Sequence, residues 1–117
     1  MSFLDKIKGA FKRKPKNPDD MVRYILAGHG DDGTKLRTVD HLAIFETEHE
    51  AAAYMTLVLD RGYDIRDNEV SAYEHGVEFN KDSAVVGKEF DDELMLLRVQ
   101  AARLNGTYDG WGCPVAT

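Results

Sequence analysis

Phe90, Leu94, Leu97, Ala101 and Leu104 recur at intervals of four, three, four and three residues, which in a helix places all five on one stripe. A stripe that apolar must be covered by another element. Thr47-Glu48-His49-Glu50 opens a second helix of this kind as a capping box, in which the Thr oxygen bonds the amide three residues on while the Glu reaches back. That helix carries Ala51, Tyr54, Met55, Val58 and Leu59 on its stripe and stops at Gly62.

Strand patterns surround the two helices. From Lys35 to Phe45, Leu36, Val39, Leu42, Ala43, Ile44 and Phe45 are interleaved with Arg37, Thr38, Asp40 and His41. Gly62-Tyr63-Asp64-Ile65 gives a short second strand. Val70 to Phe79 gives a third, in which Tyr73, His75, Val77 and Phe79 alternate with Glu74, Gly76 and Glu78. Residues 80–88 read as a loop, Asn105-Gly106 ends the long helix, and Thr107 to Val115 supplies a last strand. Ahead of all this, Asn17-Pro18-Asp19-Asp20 offers an N-cap, a first-turn proline and dipole-matched acids for a helix running to about Ala27.

Strand, helix, strand, strand, helix, strand is the split βαβ order. The expected fold is α+β: a βαββαβ sandwich with a four-stranded antiparallel sheet and two helices on one face, preceded by an N-terminal helix.

Charge divides the chain sharply. Lys6, Lys8, Lys12, Arg13, Lys14 and Lys16 stand against Asp5 alone in residues 1–18, which leaves nine bases and twenty acids for the rest. A basic arm precedes an acidic body, and such a body disfavours phosphate backbones and suits Arg- and Lys-rich proteins. Within the arm, Phe3, Leu4, Ile7, Ala10 and Phe11 fall at helical spacing. Residues 1–16 read either as an amphipathic anchor for anionic lipid or a partner, or as a frayed terminus, since Gly9 and the short length oppose a stable helix. No run approaches the roughly 18 apolar residues of a spanning helix. A soluble, cytoplasmic protein of one domain, residues 17–117, is expected.

Several motifs invite chemistry and carry little. Gly28-His29-Gly30-Asp31-Asp32-Gly33 matches the dinucleotide fingerprint in form, but a helix enters it, a strand leaves it, and two aspartates would repel phosphate. It reads as a helix stop and loop. Cys113 has no second thiol for a disulfide, and beside Pro114 no neighbouring base activates it. His29, His41, His49 and His75 are spaced by 12, 8 and 26 residues, never i, i+4. His41 and His75, backed by Asp40 and Glu74, could meet across adjacent strands as a metal or acid–base group; the alternative is polar side chains on a half-solvated sheet face. No cofactor is implied.

Tyr108-Asp109-Gly110-Trp111-Gly112 differs from these. Glycines flank the only tryptophan on a strand, where glycine marks a bulge or a close backbone approach. Either the bend lets Trp111 cover an end of the core, or it presents Tyr108 and Trp111 as aromatic anchors for a partner.

With this motif the sequence resembles the family of the regulator of ribonuclease E activity B, RraB. Two further pieces carry the resemblance in the same order: Leu36-Arg37-Thr38-Val39-Asp40-His41, a strand ending in acid and histidine, and Leu59-Asp60-Arg61-Gly62-Tyr63-Asp64-Ile65, which closes a helix. Together they span about residues 20–113. The resemblance implies a ferredoxin-like sandwich that is not an enzyme. It also implies binding to the scaffold part of ribonuclease E within its degradosome, lowering RNA cleavage, with contacts at Asp40, His41, Tyr108, Asp109, Gly110, Trp111 and Gly112 or through the sheet. Members of the family continue into a long acidic tail and lack the basic arm, which in this chain instead suggests contact with a membrane surface. The rival readings are a small metal-dependent enzyme built on His41 and His75 with Asp40 and Glu74, and a membrane-surface adaptor using residues 1–16.

Overall fold

A computed structural model describes residues 17–66 and 73–117. In chain order the elements are α1 (Pro18–Gly28), β1 (Arg37–Ile44), α2 (Glu48–Asp60), β2 (Asp64–Ile65), β3 (Gly76–Ser83), α3 (Lys88–Arg103) and β4 (Thr107–Gly112). The sheet runs β2-β3-β1-β4 with every pairing antiparallel. This is the expected ferredoxin-like sandwich. The basic arm, residues 1–16, lies outside the described residues.

Local chemistry sets the helix ends. The Asn17 side chain accepts from the Asp19 amide at 2.8 Å, with Pro18 at the first position of α1. Thr47 caps α2, accepting from the Glu50 amide at 3.2 Å and donating its hydroxyl to Glu50 Oε1 at 3.0 Å. At the far end of α3 the chain turns through Asn105 and returns directly beneath Phe45. A Cβ on Gly106 would lie 2.3 Å from that ring and 2.7 Å from the Ile44 carbonyl. Only glycine fits between α3 and the end of β1.

The core lies between the sheet and the helices. Val39, Ala43, Val77 and Phe79 face Tyr54 and Val58 of α2 and Leu94, Leu97 and Ala101 of α3. The α3 stripe reads as expected through Ala101, with Leu104 partly buried behind it. On α2, Met55 is half-buried and Leu59 is exposed, because Val58 already turns the stripe inward at the helix end.

Two strand boundaries differ from expectation. The third strand does not occupy 70–79: Tyr73 to His75 form a bend and turn, Val70 lies outside the described residues, and β3 continues through Ser83. The reason is its partner, since β1 offers eight residues and pairs from Ile44 opposite Gly76 to Arg37 opposite Ser83. Thr38 Oγ1 donates to Asp82 Oδ1 at 2.8 Å within the stretch expected as loop. At the C-terminus β4 stops at Gly112 instead of Val115, where Pro114 has no N–H to offer a ladder.

The faces of β1 also invert the hydropathy reading. Arg37, Val39, His41 and Ala43 point inward, while Leu42 and Ile44 are half-buried on the other side and Leu36 is exposed. Arg37 is tolerated inside because it forms a two-pronged ion pair with the fully buried Asp31. The Ala116 amide donates to the same carboxylate at 2.9 Å. These bonds hold the Asp31 carboxyl well below the usual carboxylate range. Asp31 comes from the loop expected as a helix stop, whose turn back from α1 carries it into place.

Candidate functional site

The Tyr108–Gly112 motif is built around one extra residue. Leu42 of β1 stands opposite Gly110 and Ala43 opposite Tyr108, so Asp109 has no counterpart and forms a β-bulge. In a regular strand, residues three apart point to opposite faces. The bulge turns both Tyr108 and Trp111 inward, each only 9% exposed. Gly110 takes φ 142°, open to glycine and strained for other residues.

Inside, the two aromatics are tied by polar bonds. The Tyr108 hydroxyl and His41 Nδ1 share a hydrogen bond of 2.6 Å, and the His41 ring stacks on Phe79 at 5.0 Å. Trp111 Nε1 donates to Asp19 Oδ1 at 2.8 Å, while Asp19 Oδ2 accepts from Arg98 at 2.5 Å. Phe90 meets the indole edge-on at 5.0 Å. Burial drives His41 down to about 4, outweighing the opposite pull of Glu93 and Asp19. It also pushes the Tyr108 phenol upward, with the Asp19 charge adding to the effect. At neutral pH the pair is therefore uncharged, as a core pair should be.

These rings do not project as anchors. Of the seven residues singled out in the sequence, His41, Tyr108 and Trp111 are buried; Asp40 and Asp109 are exposed, and Gly110 and Gly112 lie between these limits.

The histidine group of the rival reading is not assembled. β1 and β3 are neighbours, but His41 pairs with Phe79, whereas the His75 carbonyl receives the Phe45 amide. Four residues, about 13 Å of strand, separate the two. Asp40 points to the face opposite His41, and among the described residues the acid that His75 Nε2 approaches is Glu74, whose Oε1 lies 4.0 Å away. Among the described residues no three His, Cys, Asp or Glu stand where they could share an ion. No described helix is long and apolar enough to cross a membrane.

The other side of the sheet carries none of the described helices, and here the chemistry concentrates. Asp40, Asn80 and Asp64 form one row across three strands, Leu42 and Glu78 another, and Thr38 and Asp82 a third. Asp40, Leu42, Glu78, Arg66, Asp109 and Gly110 surround a depression of about 320 Å³. Arg66 Nε lies 3.9 Å from Glu78 Oε2, beyond hydrogen-bond range, and that buried oxygen has no hydrogen-bond partner. Glu78, Asp64, Asp82 and Arg66 were missed in the sequence; the signal lay in acids at alternating positions, legible only once β3 is shifted to its true register.

Comparison with known families settles the relationship. The model of the family described as "Regulator of ribonuclease activity B", RraB, matches residues 19–113. The chain belongs to the RraB family. The match takes in α1 through β4 and the whole of the bulged motif. RraB is a family of regulators of ribonuclease activity and not a catalytic family, which implies a protein partner. No curated protein matches the chain.

Proposed function

We propose that this RraB protein is a non-enzymatic regulator that docks its acidic sheet face on an Arg- and Lys-rich scaffold segment of ribonuclease E and lowers RNA cleavage. The observation that carries this reading is the concentration of Asp40, Asp64, Glu78, Asp82 and Asp109 on the helix-free side, with Arg66 the one base among the described residues there. Glu78 Oε2 adds an acceptor lacking a donor, which a guanidinium or ammonium group would satisfy. The half-buried Leu42 and Ile44 give the face an apolar strip against which the stem of an arginine or lysine can lie. Direct contact with RNA is disfavoured by the same charge.

RNA cleavage by purified ribonuclease E, measured with and without the protein, tests the proposal. Slower cleavage and co-purification of the two proteins are expected. Unchanged rates with no co-purification reject it.

A further inference from the structure

The acidic face is matched in charge by a segment of the same chain. Residues 1–16 hold Lys6, Lys8, Lys12, Arg13, Lys14 and Lys16 with only Asp5 opposing them. Across the sheet, Asp40 and Asp64 flank Asn80 in one row, with Asp82, Glu78 and Asp109 in and around it. Carboxylates gathered on one face repel one another and gain from any cation brought among them.

Geometry favours the match. The arm joins the described fold at Asn17, the cap of α1. Two residues later Asp19 is bonded to Trp111 of β4, the edge strand. The arm therefore starts beside one margin of the acidic face. From β4 to β2 the sheet is three strand spacings wide, about 15 Å. Sixteen residues reach up to about 50 Å when extended. Length does not prevent the arm from rounding the β4 edge and crossing every row of carboxylates.

From this complementarity we infer that residues 1–16 lie across the acidic sheet face of their own chain, placing lysine and arginine heads among Asp40, Glu78 and Asp109. If the docking reading above holds, the arm is also an internal competitor of the ribonuclease segment, and that competition alone rests on the docking reading.

Carbodiimide cross-linking of the full chain reads the contact directly, because it joins only amines and carboxylates in contact. Expected are intramolecular links from the arm lysines to Asp40, Glu78 and Asp109, fading at about 1 M salt, where the screening length is about 3 Å. Links confined to other carboxylates, or none, overturn the inference. An equal mixture of ¹⁴N and ¹⁵N protein distinguishes a second copy: an intramolecular link joins peptides of one isotope only, and if about half of the links are instead mixed, as random pairing between copies requires, the arm reaches a neighbour and the intramolecular contact is refuted. Changing the six arm cations to Gln should tighten binding to ribonuclease E about tenfold if the arm covers the face nine-tenths of the time. The two readings fail separately. Absent links, with ribonuclease binding lost in Asp40→Lys/Asp109→Lys, remove the arm and keep the docking face. Links present, with ribonuclease binding indifferent to that double change, keep the arm and remove the docking face.

Discussion

His41 Nδ1 and the Tyr108 hydroxyl meet at 2.6 Å beside the point where β1 and β4 slip register. Burial keeps the imidazole neutral, at about 4 against an ordinary value near 6.5. In the unfolded chain the same ring takes up its proton first as pH falls. Stability should therefore be full above about pH 6.5, decline as pH drops toward 4, and lose no more to this group below that. The total is on the order of 3 kcal/mol. Urea unfolding between pH 7 and 4.5, compared with His41→Gln, isolates it. Parallel pH curves for the two proteins would count against the assignment.

Trp111→Phe keeps an aromatic ring against Phe90 and removes the donor to Asp19. A loss of about 1.5–3 kcal/mol is expected, as for a hydrogen bond to a charged group. Since the ring is buried, ribonuclease regulation should persist at temperatures where the variant is folded. A folded variant with no regulatory effect would assign the indole a direct role at the interface.

Gly110→Ala places a Cβ in open space but at φ 142°. The cost should be purely conformational, about 1–3 kcal/mol, and visible as a lower urea midpoint with unchanged slope. An unaltered midpoint would mean that the bulge is not held at this residue.

Asp40→Lys combined with Asp109→Lys reverses two exposed charges whose side chains make no hydrogen bond or ion pair among the described residues. Stability should change by about 0.5 kcal/mol or less per site. Binding to ribonuclease E should weaken at least tenfold, and its salt dependence should flatten. Calorimetric titration at two salt concentrations measures both, and equal affinity with equal salt dependence would move the interface elsewhere.

The helices and their order were legible because their signals are local: an apolar stripe, a Thr or Asn cap, a glycine or asparagine after the last turn. Which way β1 faces was not. Arg37 and His41 point inward only because Asp31 and Tyr108, 6 and 67 residues away in sequence, receive them. No window of hydropathy contains that information. The glycines around Trp111 did announce a bulge, but the direction of the aromatics depends on which residue lacks a partner across the ladder. The acidic face stayed hidden for a related reason, since β3 begins at Gly76, six residues beyond where alternation placed it, and the rows of carboxylates exist only in the true pairing.

The unpaired residue between Tyr108 and Trp111 separates two kinds of constraint on this segment. Substituting Asp109 alters what an approaching molecule meets and leaves the interior alone, whereas pairing all five residues without the bulge would put Tyr108 and Trp111 on opposite faces and turn one ring out into solvent. Within this stretch the letter on the outside can change, but the skipped step in the ladder that keeps both rings indoors cannot.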